Sequence, residues 1–346
     1  MRNTNKSKLL TLYKNIFGDS DLFTSVLFKN FPFNRNSFFV KEESEILSCA
    51  FIRNKKIRIA KKRYSFPFLF GLCTNENYRN KGYARAVLSK VFKNLYTKKF
   101  AFLGLFPFPA SKEFYYNFGF STFNYSQRFL LKNLTVLGTE IKEISSYETL
   151  KNFCEKLSKK YFCFQDFNNS YFTKKDSEIK AFGGKIYGFY INSLLYGYMI
   201  LDGEDIEEIL FDTDFIKGKN FENNSEIFSL DKEVLIPAFN TEKQLISNTL
   251  IRPINKIKFV KLFSNNICCN LDETYNIFVK DEFIKDQKFT IKIKKGKVKI
   301  KRYFGNKFTT ILSVNSFTSW MLFGSKENNL PKIKKTVLDY GFLDKY

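Results

Sequence analysis

The residues best suited to chemistry lie in two short stretches. The first is Arg79-x-x-Gly82-x-Ala84, which follows an apolar run, Phe68 to Cys73, and the polar residues Thr74 to Tyr78. Residues with helical spacing come straight after it. A helix start leaves four backbone amides without internal partners, and these carry the positive end of the helix dipole. Glycine and alanine let an anion come close to that backbone. Such a turn suits a phosphate or pyrophosphate. The second stretch is Phe114-Tyr115-Tyr116-Asn117-Phe118-Gly119-Phe120.

Histidine is absent from all 346 residues. That excludes Ser-His-Asp and Cys-His catalysis, histidine-ligated zinc and any imidazole base. Base work falls to carboxylates, Tyr, Cys, Lys or water. The six cysteines, at 49, 73, 154, 163, 268 and 269, contain no CxxC pair. They read as reduced thiols in a reducing compartment. Cys73, with no base near it in sequence, reads as a buried strand residue rather than a nucleophile.

The elements around these residues alternate. Lys8 to Phe17 and Leu22 to Phe31 have helical spacing. Ser37 to Lys41 and Ile46 to Ile52 read as strands, and Asn54-Lys55-Lys56 as a turn into another strand from Ile57 to Tyr64. Phe68 to Cys73 has the unbroken apolar character of a central strand. Tyr83 to Leu95 places Ala84, Val87, Val91 and Leu95 on one helix face. Phe100 to Leu105 is a strand, Ser111 to Asn117 a short helix, and Phe120 to Leu131 a final strand. This is an α+β (or α/β) unit of about 130 residues.

A second block opens with a helix from Tyr147 to Tyr161. Strands from Ile186 to Ile191 and Leu194 to Leu201 flank the turn Asn192-Ser193, and an acidic stretch, Asp202 to Asp214, follows. A third block has a helix from Ile254 to Phe263 and a short strand near Phe278 and Val279. It continues with a hairpin about Lys295-Gly296, in which Ile and Lys alternate, and a last helix from Ser316 to Phe323.

The formal net charge is +23. Lys, Asn, Phe, Ile and Tyr share A/T-rich codons, and Arg supplies only ten of the 57 basic residues, so genome bias explains much of this excess. The field attracts polyanions and repels polycations. The lysine face of the hairpin reads as the wet side of a half-buried ribbon, not as a nucleic-acid surface. No apolar run approaches 18 residues, and no apolar leader follows Met1. The expectation is a cytoplasmic protein without nucleic-acid or membrane partners.

The loop and helix from Phe70 to Ala84 resemble the acetyl-CoA loop of the GNAT N-acetyltransferase superfamily. The segment from Phe114 to Phe120 is similar to that superfamily's FYxxFGF segment. Leu105-Phe106-Pro107-Phe108-Pro109, the run Ile251-Arg252-Pro253-Ile254-Asn255-Lys256, and Ser316 to Gly324 are similar to the enhanced intracellular survival (Eis) family. That resemblance implies tandem GNAT folds followed by a sterol-carrier-like α/β domain. The boundaries would be 1–132 for the catalytic domain, 133–248 for a degenerate second one, and 249–346 for the last.

The resemblance implies acetyl-CoA as cofactor, an amine acceptor such as an aminoglycoside or a lysine, and a hexamer. Backbone groups of Leu72, Cys73 and Thr74 would pair with pantetheine. Arg79, Asn80, Lys81, Gly82, Tyr83 and Ala84 would cradle the pyrophosphate. Tyr115 would be the general acid, with Tyr116 as its rival, and the carboxylate of the terminal residue Tyr346 would be the base. A polycationic acceptor would need local acid, for which Glu42, Glu43, Glu45 and the 202–214 stretch are candidates. The chain opens with a helix, so the first strand usual in the fold is short or missing. The alternative function is a non-catalytic carrier of an apolar ligand with a relic GNAT domain.

Overall fold

The computed structural model describes residues 2–130, 140–144, 147–167, 169–181, 183–202, 205–212, 233–237, 246–268, 270–324 and 329–334. Two helices come first: α1 (Arg2–Phe17) and α2 (Asp21–Leu27). Leu9, Leu12 and Tyr13 form the buried side of α1. The Ser20 hydroxyl caps α2 by accepting from the Phe23 amide at 3.1 Å, as N-cap serines do. A single turn, α3 (Phe33–Asn36), leads into β1 (Ser37–Glu42), β2 (Glu45–Ile59) and β3 (Lys62–Thr74).

The expected turn at Asn54-Lys55-Lys56 is corrected. Those residues pair with Pro67, Phe66 and Ser65 of β3, and the Lys55 ammonium lies 4.2 Å from the centre of the Phe68 ring. The chain turns instead at Ala60 and Lys61, at φ 48° and 69°, the left-handed geometry of tight hairpins. Next come α4 (Tyr83–Thr97), β4 (Phe102–Leu105), α5 (Lys112–Tyr116), β5 (Ser121–Thr122) and β6 (Tyr125–Leu130). The single strand expected from Phe120 to Leu131 is therefore two.

The middle region holds β7 (Glu140–Glu143), α6 (Tyr147–Ser158), β8 (Cys163–Gln165), α7 (Asn169–Ala181), β9 (Lys185–Ile191), β10 (Leu194–Asp202), β11 (Asp205–Phe211) and β12 (Glu233–Pro237). Its main sheet runs β11-β10-β9-β7 and is antiparallel. Leu150, Phe153 and Leu157 of α6 pack on Tyr198 and Ile200. Asn192 and Ser193 make the expected turn, both at positive φ.

The last region holds β13 (Ile246–Ser247), β14 (Leu250–Pro253), α8 (Lys256–Phe263), β15 (Glu273–Val279), β16 (Gln287–Lys294), β17 (Lys297–Arg302), β18 (Thr310–Leu312) and α9 (Val314–Phe323). The hairpin turns at Lys295-Gly296. It buries Phe289, Ile291 and Ile293 beneath Phe259, Phe263 and Phe317, with its lysines outward.

The whole is a mixed α/β fold with four sheets among the described residues. The first sheet has the order β1-β2-β3-β4-β14-β5, with β8 against the far end of β2. Leu250–Pro253 thus lies between two strands formed more than a hundred residues earlier. The boundary expected at 249 falls just before it.

Candidate active site

β3 and β4 are parallel but pair only at Phe68↔Gly104 and Leu69↔Leu105. β3 continues to Thr74, whereas the chain after β4 leaves through Pro107 and Pro109, so among the described residues Phe70 to Thr74 have no strand neighbour on that edge. On the other edge, facing β2, the register slips: Cys49 faces Cys73, but Phe51 faces Phe70. Gly71 and Leu72 are therefore set against Ala50 alone, a β-bulge. Gly71 has φ +60°, and a Cβ there would lie 2.8 Å from the Phe51 ring and 3.0 Å from that of Tyr13. Only glycine suits this bend.

Beyond β3, the Asn75 side chain accepts from the Asn77 amide at 3.1 Å and starts a short 3-10 turn. Asn80 at φ 62° and Gly82 at φ 83° bring the chain into α4. No side chain caps this helix. Its first helical hydrogen bond runs from the Ala86 amide to the Gly82 carbonyl, so the amides of Tyr83, Ala84 and Arg85 have no partner within the helix. A Cβ at Gly82 would meet nothing within 4 Å. Val87, Leu88, Val91, Phe92 and Leu95 anchor the helix, each burial contributing about 1.5–3 kcal/mol. A rigid helix with an open, uncapped N-terminus fits a pyrophosphate.

The six consecutive residues Arg79 to Ala84 lead into the first turn of α4. Arg79 is exposed and pairs with Glu76 at 3.1 Å. The Lys81 ammonium is 5.1 Å from the centre of the Tyr78 ring. The Tyr83 hydroxyl donates to Glu42 at 2.5 Å, while Asn75 and Tyr78 donate to Glu45 at 2.8 and 3.3 Å. The charge of Glu45 raises the Tyr78 phenol, and the hydrogen bond to Glu42 raises that of Tyr83. Two of the acids considered for an acceptor thus brace the loop that leads into α4. Sequence reading missed this, because the β1–β2 turn meets the loop only in three dimensions.

Leu72 packs with the α4 core. The Thr74 hydroxyl is 2.9 Å from that of Ser48, which also donates to the Cys73 carbonyl at 2.9 Å. The Cys73 and Cys49 sulfurs are 3.5 Å apart and buried. The Cys49 thiol is raised, first by its hydrogen bond to Cys73 and then by burial.

Tyr115 belongs to the same core as Leu72. Its ring meets Phe120 edge-on at 5.6 Å. Burial raises its phenol well above the ordinary value, with the Cys73 thiol adding to the shift. Tyr116 sends its hydroxyl elsewhere, to Thr122 at 3.3 Å and Ser247 at 3.4 Å. Tyr346 lies outside the described residues.

Of the second acidic group, Glu208 binds the Tyr198 hydroxyl at 2.5 Å and Lys175 at 2.8 Å, and Asp212 binds Lys160 at 2.5 Å. Both belong to the middle region's own packing. A further cluster was not visible in the sequence as a site component. Arg252 of β14 donates to the Phe118 carbonyl at 2.6 Å and to Asp281 at 2.7 Å. Lys256 also binds Asp281, and all three side chains are buried. This cluster fixes the end of the Tyr115 segment against the first sheet.

A cavity of about 330 Å³ lies on the α1 side of the parted strands. Leu69, Phe70 and Gly71 of β3 and Phe106, just past β4, form its inner wall.

Residues 1–123 match the sequence model of the family described as Acetyltransferase (GNAT) domain. No curated protein matches the sequence significantly. Solved structures match nearly end to end. A probable N-acyltransferase from Enterococcus faecalis V583 is 13% identical, with a TM-score of 0.65, over 92% of this chain and 87% of that one. A GCN5-related N-acetyltransferase from Anabaena variabilis is 12% identical, with a TM-score of 0.61, over the same shares of the two chains. Eis1 from Mycobacterium abscessus is 10% identical, with a TM-score of 0.62, over 93% and 88%. At such identities the likeness is one of fold. The matched segment holds the parted strands, the uncapped helix and Tyr115, and residues 1–123 are similar to an acetyltransferase domain of the GNAT type, consistent with use of an acyl-CoA.

Proposed function

We propose that this chain is an N-acetyltransferase that moves the acetyl group of acetyl-CoA to a primary amine by direct attack. The observation that carries this reading is the parting of β3 from β4 beside an uncapped helix N-terminus. Acetyl-CoA supplies an activated acetyl thioester. The edge of Leu72, Cys73 and Thr74 would hold the pantetheine amides, as an exposed strand edge holds an extended ligand. The amides and side chains from Arg79 to Ala84 would hold the pyrophosphate.

The amine nitrogen forms a bond to the acetyl carbon, and the carbon–sulfur bond breaks. Tyr115 would hold its proton toward the departing sulfur, and the amine proton leaves to a carboxylate or water. The raised phenol is protonated at neutral pH, so it would enter the reaction carrying the proton that the sulfur takes. Cys73 is buried with its sulfur against that of Cys49, which favours direct transfer over an acyl-cysteine route, since a nucleophilic cysteine needs access.

The plan of a degenerate second acetyltransferase fold at 133–248 and a sterol-carrier-like domain at 249–346 belongs to the same proposal. Its support is the fold likeness to Eis1 over 93% of the chain. The test is an assay for free thiol released from acetyl-CoA with and without amines, with the acetylated product confirmed by mass. Thiol release that depends on an amine supports the reading. A chain that binds acetyl-CoA but never transfers its acetyl group would favour the carrier alternative.

A further inference from the structure

The cavity beside the parted strands has a distinct lining. Tyr13, Phe17, Phe68, Phe70, Phe106 and Phe108 supply aromatic walls, and Pro107 and Pro109 stiffen one rim. Phe106 and Phe108 are 38% and 69% exposed, although burying such side chains is normally favourable. Phe17 and Phe108 face one another nearly parallel, at 21° and 6.4 Å between centres. A further flat ring can pack on such aromatic faces and edges in the offset or edge-on arrangements that aromatic pairs prefer.

The charges in the lining are Asp19, Arg53 and Lys55. Asp19 accepts from the Tyr13 hydroxyl at 2.6 Å. Arg53 lies over Phe70 at 5.0 Å. Glu178 pairs with Arg53 at 3.7 Å, which leaves Asp19 against Lys55 and no excess of acid to attract a polycation, and the chain's +23 charge opposes one further. Glu42 and Glu45, which could have supplied acid, hold Tyr83, Asn75 and Tyr78 at the phosphate loop. A volume of about 330 Å³ is at the small end for ligand pockets.

Building on the acetyltransferase reading above, we propose that this cavity receives the acceptor, and that the acceptor is a small amine on an aromatic body rather than an aminoglycoside or polyamine. The body packs against the exposed Phe106 and Phe108 rings at the mouth of the cavity. The amine reaches the gap between Leu69 and Phe106, where β3 and β4 separate.

The test measures thiol release by the full chain with saturating acetyl-CoA and four acceptors: 2-phenylethylamine, tryptamine, tobramycin and spermidine. The two aromatic amines should show kcat/KM at least about tenfold above the polycations, since an apolar pocket discriminates by such factors. Phe108→Ser should raise KM for 2-phenylethylamine about tenfold by the same principle, with acetyl-CoA affinity unchanged. Phe304→Ser, at another exposed phenylalanine outside the cavity, should leave KM as it is. Preference for tobramycin or spermidine, or a Phe108→Ser variant with normal KM, overturns the proposal. So does a rate that rises from acetyl-CoA to hexanoyl-CoA irrespective of amine, which would give the cavity to the acyl chain. Acetyl-CoA binding without transfer to any of the four amines overturns it and leaves the cofactor loop standing. Failure to bind acetyl-CoA at all overturns the underlying reading as well.

Discussion

Tyr115 and Tyr116 are adjacent in the chain but direct their hydroxyls to different places. The Tyr115 ring packs edge-on to Phe120 in the core shared with Leu72, and its hydroxyl has no hydrogen-bond partner among the described residues. The Tyr116 hydroxyl sits beside Thr122 and Ser247. Tyr115→Phe should therefore lower kcat, by about 10²–10⁴-fold if it acts as a general acid, and leave acetyl-CoA affinity as it is. Tyr116→Phe should keep most of its activity. Steady-state kinetics with binding by calorimetry check both; equal losses in the two variants would remove the distinction.

The raised Tyr115 phenol has a consequence for pH. A group whose pKa is raised keeps its proton to higher pH, so Tyr115 remains a donor well above its ordinary value of about 10. The kcat profile should show no decline from Tyr115 ionisation between pH 7 and about 9.5. A basic limb in that window that vanishes in Tyr115→Phe would contradict this.

Gly82 separates two physical effects. Its φ of +83° favours glycine, while the space around its Cα is open. Gly82→Asn tolerates the left-handed backbone and should retain acetyl-CoA binding within about tenfold. Gly82→Glu puts a carboxylate where a phosphate belongs and should abolish binding while the chain stays folded. Calorimetry and circular dichroism distinguish the outcomes, and equal binding by both variants would refute the loop assignment.

The turn into α4 and the short helix holding Tyr115 were legible in the sequence because each is local: glycine at a forced turn, an apolar helix face behind it, and a short aromatic segment before Gly119. What brings them together is not local. Leu250–Pro253 enters the first sheet beside β4, and no pattern in those four residues names its neighbours. Asn54 and Lys56 look like turn residues, yet they lie within β2 because β3 pairs along its whole length. Ala60 and Lys61, which do turn, give no signal. The 169–181 helix was not foreseen, since lysine, serine and threonine dilute its apolar face. Glu208, in the acidic stretch considered for an acceptor, is buried against Lys175 and Tyr198, where its charge is paired.

The Arg252–Lys256–Asp281 cluster should make stability depend on pH. Burial and the charge of Arg252 push the Lys256 ammonium from 10.5 down to about 7. Between those values the unfolded chain holds a proton that the folded chain has released, so this group's contribution rises with pH across that window and is lowest below it. For Asp281, burial acts upward, but Arg252 and Lys256 outweigh it and hold the carboxyl below 3.8; that contribution is present above 3.8 and lost on acidification. Lys256→Met removes the first dependence and weakens the second, but Asp281 stays ionised beside Arg252 above pH 6, so only the first shows there. The melting temperature of the wild type minus that of Lys256→Met should therefore grow from pH 6 to 9, and a constant or shrinking difference would contradict the assignment.

Gly71 carries the bulge. Gly71→Ala must adopt a left-handed backbone and displace the Phe51 or Tyr13 ring, costing about 1–3 kcal/mol. Denaturant unfolding measures this. A variant as stable as the wild type would show that the bend does not need glycine.

The central claim is that the uncapped α4 terminus and the parted β3 edge form a working acetyl-CoA site. Calorimetric titration of the full chain with acetyl-CoA at low salt tests it most directly. The account predicts saturable binding of one acetyl-CoA per chain, lost in Gly82→Glu. A folded chain that takes up no acetyl-CoA, or binds it equally well with Gly82→Glu, would contradict it.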